Sequence, residues 1–435
     1  MNPEFRRQLW LQFSPTRLVL MPALLLLGAV AILLSSDRGD AASALALSSG
    51  VAFMVLVFGM GSRAASASVM DEVTERTWDQ QRMSALQPWA MTWGKLAGAT
   101  AYGWYGGAIC LAIAVPCALS VGRLDGLAVM LTAAAAVLTG VFLQALILAI
   151  NLQLVKNGGR VVKRGGAWFL IFLATAISTP LYSLLKHSGV VVWWNQPIDN
   201  VAFAMGSMGL LALCALVSAW RSMAEVLAVR QWPWGWPALA LVATGYCTGF
   251  HATQQAQTFC LVGMGFSALL TYFALFTEPQ PRPLWQRVVS RAAAGQWRAA
   301  LEQLPSWPTT LLLTCALALG STASLGDLAA TTVDPVWNAY SQQPVALALL
   351  VVRDCLLALC FTFAPRARRQ VMGALVTLVV LYGLLPWLVG TTGNTLLFGL
   401  VLPPAAGQRA VLVAVLHVAV AAGLLRWRWN RTRPA

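Results

Sequence analysis

Two adjacent opposite charges are the residues of this chain best suited to chemistry. Arg353 and Asp354 lie in the middle of an apolar run at 345–363. A charge in such a run is a candidate for substrate binding or gating, and a structural polar contact or a misplaced span end is the alternative. Because successive helical side chains point about 100° apart, we expect each to meet a partner on another helix rather than each other.

The remaining reactive side chains are scattered along the sequence. A lone histidine more often makes a packing hydrogen bond than relays protons, and this applies to His187, His251 and His417. All eight cysteines lie in or at the ends of apolar runs without a Cys-x-x-Cys pair, so neither zinc nor a disulfide framework is indicated. Gly94-Lys95 is followed by leucine, and no stretch matches G-x-x-x-x-G-K-[ST]. We therefore predict no catalytic, metal or cofactor site on this chain.

The elements that carry these residues are apolar enough to cross a membrane. Of 435 residues, 58% are hydrophobic and 10% charged, against about 25% charged in a soluble domain. Runs of about 20 apolar residues can each cross the hydrocarbon core as a helix. We predict an all-α, polytopic helical membrane protein with about twelve transmembrane helices, approximately at 18–36, 43–65, 96–119, 126–152, 166–185, 201–220, 236–251, 257–276, 308–325, 345–363, 371–390 and 410–426.

The basic residues predict the orientation of these helices. A net charge of +14 would suggest a nucleic-acid partner in a soluble protein. With the N-terminus inside, however, 24 of the 29 Lys and Arg fall in cytoplasmic segments, and Arg353 falls within a span. The basic residues on the outer side are Arg38, Arg123, Lys186 and Arg409. The positive-inside rule thus predicts two cytoplasmic termini, contact with anionic membrane lipid and no nucleic acid.

Two polar segments flank the first spans. Residues 3–14, PEFRRQLWLQFS, place Phe5, Leu9 and Phe13 on one face and predict an amphipathic interfacial helix, although a basic start that only fixes topology is the alternative. Residues 71–95, DEVTERTWDQQRMSALQPWAMTWGK, form the longest polar stretch of the first half. Acidic residues at its start favour a solvent-facing helix that stops before Pro88. Its expected surface pairs are Glu72 with Arg76 and Asp79 with Arg82.

This order of elements resembles the permease subunit of type-2 ABC exporters over residues 1–220. The residues that carry the resemblance are Glu75-Arg76-Thr77-Trp78-Asp79, Arg82, Leu86-Gln87-Pro88-Trp89 and Gly94-Lys95-Leu96, between the second and third spans. One departure is Arg76, where the family usually has glycine. The resemblance implies an N-terminal elbow helix and a coupling helix made of Glu75, Arg76, Thr77, Trp78, Asp79 and Arg82.

The same resemblance implies partners and a location. The coupling helix would bind a separate ATP-binding subunit that holds ATP and Mg, with Trp78 as the aromatic anchor of the interface. Because such a subunit forms a dimer with two grooves, a permease homodimer or heterodimer is expected. The family and the compact loops imply a bacterial inner membrane.

Residues 221–435 are predicted to form an additional membrane region of about six spans. It contains a cytoplasmic amphipathic segment at 277–307 and, at 221–237, a connector rich in tryptophan. In the loop at 190–200, VVVWWNQPIDN, we expect either a re-entrant or surface-lying helix or simple interfacial tryptophan anchors.

The leading function is therefore ATP-driven export by a transport subunit that is not itself an enzyme. The nearly charge-free spans fit a lipidic, amphipathic or hydrophobic cargo. The alternative is a twelve-span secondary transporter driven by an ion gradient, with Arg353, Asp354 and His417 as coupling groups, although matched charged sites in both halves are missing. A membrane enzyme or scaffold is a third class, and it lacks a catalytic constellation.

Overall fold

The computed structural model describes residues 2–37, 40–84, 86–122, 125–156, 179–185, 189–229, 231–250, 256–278, 280–323, 342–363 and 370–431. These residues are almost all helical and divide into two compact units. Unit 1 comprises Met1–Val191 and Pro197–Gln231, and unit 2 comprises Val192–Gln196 and Trp232–Ala435. The division therefore falls at Gln231, where the sequence suggested residue 220.

Within the described residues of unit 1, seven helices are labelled here. They are α1 (Pro3–Gln12), α2 (Pro15–Ser35), α3 (Ala41–Thr74), α4 (Trp78–Arg82), α5 (Pro88–Val121), α6 (Gly126–Lys156) and α7 (Asn200–Val226). Side-chain caps and prolines set the first two: Asn2 accepts from the Glu4 amide before Pro3, and Ser14 accepts from the Arg17 amide before Pro15. A glycine in the left-handed conformation, Gly122, ends α5.

Unit 2 contains nine labelled helices. They are α8 (Gly235–Gly249), α9 (Ala256–Thr277), α10 (Arg282–Ala293), α11 (Trp297–Leu301), α12 (Trp307–Ala323), α13 (Pro344–Thr362), α14 (Met372–Gly390), α15 (Thr395–Val401) and α16 (Ala410–Arg431). Helix α9 packs along α12, and α13 packs along α16. Helices α10 and α11 occupy the predicted amphipathic segment at 277–307; its position at a membrane interface stays a prediction.

Nine helices of the described residues are long and apolar enough to cross a membrane. They coincide with nine of the twelve predicted spans. Two more predicted spans are the shorter helices α8, of 15 residues, and α12, of 17 residues. The remaining one, 166–185, lies largely outside the described residues. The protein is an all-α, polytopic membrane protein, and the number twelve stays a prediction.

One element departs from the all-helical expectation. Residues 190–199 form a two-stranded hairpin of β1 (Val190–Trp193) and β2 (Gln196–Asp199), so the helix, one of the two alternatives, is wrong, and interfacial anchoring by the tryptophans stays a prediction. Trp194 and Asn195 both have positive φ, 51° and 60°, as a tight two-residue hairpin turn requires. The run Val190-Val191-Val192-Trp193 is β-branched and aromatic, and this composition favours a strand.

Helices α3 and α5 approach closely in unit 1 because α5 carries glycines. A Cβ at Gly103 would lie 2.8 Å from the backbone oxygen of Leu56. Residues Met54–Gly61 of α3 are π-helical, and Gln144 of α6 donates to the Val57 carbonyl of this stretch at 3.0 Å. The Gln144 carbonyl accepts from the Trp104 indole at 2.9 Å. The Gln144 side chain thus supplies a hydrogen bond to a backbone carbonyl in the π-helical stretch.

Helix α1 packs its polar side onto a second π-helical stretch, Gly94–Gly98, within α5. Glu4 and Gln8 are buried, whereas Trp10 is 81% exposed, so the face that packs on α5 is polar; that Phe5, Leu9 and Phe13 face the membrane stays a prediction. Helix α1 is present at the predicted place; its role as a membrane elbow stays a prediction.

Close approach of α1 predicts that Gly98→Ala destabilises unit 1. The new Cβ would lie 2.7 Å from the Gln8 Cβ, and relieving that overlap costs about 1–3 kcal/mol. Thermal unfolding in detergent should show a lower Tm for Gly98→Ala. Gly50→Ala is the matched control, because no heavy atom lies within 4 Å of its new Cβ. Equal Tm values for the two variants would contradict the packing described for α1.

Candidate functional site

The polar segment between the second and third predicted spans is shorter and more bent than expected. Helix α3 continues through Asp71 and Glu72 to Thr74, so these acids end one helix and do not begin another. Arg76 then adopts a left-handed conformation with φ of 58°, and α4 has only five residues. The prediction of one helix from Asp71 to Pro88 was therefore wrong, because the chain turns at Arg76.

The predicted coupling residues now divide into an exposed and a buried set. Residues Glu75, Arg76, Asp79 and Arg82 are exposed, Thr77 is half-buried, and Trp78 is 6% exposed. The predicted pair of Asp79 with Arg82 is confirmed at 3.7 Å. Trp78 is not the exposed aromatic anchor that the sequence suggested, since it packs into the core of unit 1.

A buried lysine lies beneath Trp78. Lys95, at the start of α5, is fully buried, and its Nζ lies 5.4 Å from the centre of the Trp78 ring. The same Nζ contacts Glu72 at 2.5 Å and Glu4 at 3.4 Å, and it donates to the Ser68 carbonyl at 2.9 Å. Lys95 therefore links the segment that carries Trp78 to α3 and α1.

Arg7 completes a cluster of two positive and two negative charges. Its guanidinium contacts Glu72 at 2.5 Å and Glu4 at 2.9 Å. Glu72 therefore pairs with Arg7 and Lys95 and not with Arg76, because α3 directs it into unit 1. We call Glu4, Arg7, Glu72 and Lys95 the charge cluster.

The charge cluster keeps its two members on α1 ionised. Burial alone would raise the pKa of Glu4, but the hydrogen bond from Arg7 and the positive charge of Lys95 outweigh it and lower that pKa below its ordinary value of 4.5. Hydrogen bonding to Glu4 raises the pKa of Arg7 in spite of its partial burial. Glu4 and Arg7 therefore both remain charged at neutral pH and form an ion pair.

Sequence reasoning missed the charge cluster. It read Lys95 only as the opening of a span and Arg7 as a topology signal. A lysine inside the first turns of an apolar helix is seldom buried unless it is paired, and this is the signal that predicts nearby carboxylates. Nothing in the sequence points to Glu4 as one of them.

An open pocket of about 440 Å³ lies between α4 and the ends of α6 and α7. Val73, Trp78, Val155 and Val226 supply its apolar surface. Its charged residues are Arg76, Asp79, Arg82, Lys156 and Glu225, of which the last two form an ion pair at 2.8 Å. Four of the six predicted coupling residues thus border one concave surface, and Glu75 and Thr77 lie beside it.

Unit 2 holds the other predicted site. Arg353 and Asp354 are 4% and 1% exposed, and they do contact each other: Arg353 Nε donates to Asp354 Oδ1 at 2.9 Å. The expectation that neighbours on a helix would not pair was therefore wrong. The reason is the length of the arginine side chain, which lets the guanidinium fold back over the next residue.

Partners on other helices, which the sequence did not reveal, complete this second cluster. Asp354 Oδ2 accepts from the hydroxyls of Tyr272 and Tyr382, each at 2.6 Å, and Arg353 lies 3.1 Å from His417 Nδ1. Tyr382 belongs to a π-helical stretch, Val380–Leu384, in α14. Two tyrosines and Arg353 thus donate to the carboxylate, and Arg353 is also its counter-charge. This arrangement favours a structural contact among α9, α13, α14 and α16.

His417 also contacts the backbone where α15 ends. Its Nε2 lies 2.9 Å from the carbonyl oxygen of Leu400, near the end of α15. In a continuing helix that carbonyl would accept from residue 404, which is a proline without an N–H. The histidine supplies the missing donor, and its Nδ1 is then free to accept from Arg353.

His187 and His251 lie outside the described residues. Among the described residues, no group of three or more His, Cys, Asp or Glu could hold a metal ion.

The charge cluster predicts a large difference between two lysine variants. Lys95→Met leaves two buried carboxylates with Arg7 alone, and breaking such a buried network costs about 3–5 kcal/mol. Lys156→Met removes a lysine from an exposed ion pair and should cost about 1 kcal/mol or less. Thermal unfolding of the detergent-solubilised chain compares the two. A Tm for Lys95→Met as high as that for Lys156→Met would refute the stabilising role of the cluster.

The second cluster predicts a compensating double variant. Asp354→Asn leaves Arg353 buried without a counter-charge and should lower the free energy of unfolding by about 3–5 kcal/mol. Both the expression level and the Tm should fall as a result. Adding Arg353→Met removes the orphaned charge and should recover part of the loss. A stable Asp354→Asn chain that has lost transport would instead assign the cluster to transport.

The family resemblance depends on residues of this chain alone. A scan against protein-family models finds no match, and searches of curated proteins and of solved structures find no similar chain.

Proposed function

We propose that this chain is the permease subunit of an ATP-driven exporter of the type-2 ABC kind. ATP and Mg are bound by a separate ATP-binding subunit, which docks on residues 75–82. The observation that carries the proposal is how this segment packs. Its charged residues are exposed, and its buried Trp78 contacts Lys95 of the charge cluster. Such a surface has the charged, accessible character of a protein-binding site.

The conformation of Arg76 supports the match to the family. Its φ of 58° is one that glycine adopts readily and other residues seldom do. Glycine is the residue that the family usually has at this position. The departure in the sequence therefore keeps the backbone geometry that a glycine would permit.

The charge cluster supports a mechanical role for the segment. A helix of five residues has little stability of its own and must be held by its surroundings. Trp78 rests on Lys95, and Lys95 is paired with Glu72 on α3 and Glu4 on α1. A force applied to α4 by a closing ATP-binding dimer would therefore reach α1, α3 and α5 together, as rigid-body transmission requires.

The remaining parts of the proposal follow from this assignment. Two grooves on an ATP-binding dimer call for two permease units, as a homodimer or a heterodimer. The distribution of basic residues favours cytoplasmic termini, and the family resemblance and the compact loops favour a bacterial inner membrane. The apolar spans favour a lipidic, amphipathic or hydrophobic cargo.

A secondary transporter driven by an ion gradient is the second candidate. Its support is the presence of titratable groups, Asp354 and His417, on apolar helices of unit 2. Against it, Asp354 already accepts from two tyrosines and is paired with Arg353. A coupling ion would have to displace these partners.

A charge-reversal experiment tests the docking surface. Arg76→Glu combined with Arg82→Glu should reduce recovery of the ATP-binding subunit at least about tenfold, since both side chains are exposed and central to the segment. The permease is purified in mild detergent from its native host, and the partner is identified by its G-x-x-x-x-G-K-[ST] sequence and ATPase activity.

The matched control is Arg287→Glu combined with Arg426→Glu, which makes the same charge change at exposed residues of unit 2. Its recovery of the partner should equal that of wild type. Equal recovery with both double variants would exclude residues 75–82 as the docking surface. Wild-type preparations without any ATP-binding subunit would remove the proposed function itself.

A further inference from the structure

The pocket beside α4 has an apolar interior and a charged margin. Val73, Val155 and Val226 face it together with Trp78, and Val226 and Trp78 are themselves buried to more than nine-tenths. A pocket of about 440 Å³ with such a lining can hold one large apolar side chain. Because all of its residues belong to unit 1, the pocket is a feature of that unit alone.

The charges at the margin do not cancel. Arg82 pairs with Asp79 at 3.7 Å, and Lys156 pairs with Glu225 at 2.8 Å. Arg76 has no carboxylate within ion-pair distance in the part of the chain that the structure describes. The margin therefore carries one uncompensated positive charge, which is complementary to a carboxylate.

Two hydrogen-bonding groups of α4 have no partner among the described residues. The buried indole Nε1 of Trp78 meets no acceptor there, and the buried side-chain oxygen of Gln81 meets no donor. Buried polar groups are nearly always satisfied, so an unsatisfied donor and an unsatisfied acceptor on one short helix point to a missing partner. A lipid chain would satisfy neither of them.

We propose that this pocket receives a bulky apolar side chain of the ATP-binding subunit, together with a neighbouring carboxylate. The inference depends on the proposed function and adds the chemistry of the contact. The apolar side chain packs on Val73, Val155 and Val226. The carboxylate pairs with Arg76, and a polar group of the same partner segment supplies an acceptor for Trp78 Nε1. The permease thus provides a socket as well as a projecting helix.

Two variants test the socket with the purified ATP-binding subunit as the probe. Val155→Phe fills the pocket and should weaken binding at least about tenfold. Trp78→Phe keeps an aromatic ring, removes only the N–H, and should weaken binding about fivefold. Val19→Phe, on the exposed side of α2, is the size-matched control and should bind like wild type. The affinity of the ATP-binding subunit for each immobilised permease variant is measured in detergent. The Tm of each variant without partner is measured in parallel.

The outcomes separate this inference from the proposed function. Wild type that binds no ATP-binding subunit removes both. Wild type that binds, with Val155→Phe and Trp78→Phe binding equally well, removes the socket and leaves the coupling surface in place. If Val155→Phe lowers the Tm of the free chain, a photo-crosslinking residue at position 155 decides the question. A crosslink to an apolar residue next to an acid in the ATP-binding subunit supports the socket, and adducts with lipid alone overturn it.

Discussion

A fully buried lysine is the constraint on which unit 1 depends. Lys95 cannot remain charged away from water without carboxylates, and it has two, Glu72 and Glu4. Two carboxylates in turn need a second cation, which Arg7 supplies from α1. Helix α1 can reach this position only because Gly94 and Gly98 leave room for Glu4 and Gln8. The position of the N-terminal helix thus follows from the chemistry of one side chain in α5.

Unit 2 follows the same principle with different residues. Arg353 and Asp354 form an ion pair, two tyrosines from other helices donate to Asp354, and a histidine from another helix contacts Arg353. In both units the polar cluster lies beside a π-helical stretch, at Gly94–Gly98 and at Val380–Leu384. A π-helical turn changes which residues share a face of the helix, so it can direct a single polar side chain into an otherwise apolar contact.

The sequence predicted the apolar helices and the place of the polar segment well, since length and hydropathy decide both. It also predicted the pairing of Asp79 with Arg82, because neighbours three residues apart share a helix face. It could not predict partners that are distant in sequence: Glu72 lies 23 residues from Lys95, and Tyr272 lies 82 residues from Asp354. Nor could the residues of this chain alone predict the turn at Arg76, because arginine seldom adopts the left-handed region. The burial of Trp78 follows from that turn.

We propose that the charge cluster makes α1 and the segment containing α4 one rigid body. Spin labels at Trp10 and Met83, both 81% exposed, would report the distance between them by double electron–electron resonance in a cysteine-free background. We expect one narrow distance distribution that is the same for the chain without nucleotide and for its complex with the proposed ATP-binding subunit, with ATP or after vanadate trapping, and that broadens in Lys95→Met. A broad distribution in the wild-type sequence, or a distance that changes when ATP binds, would contradict it.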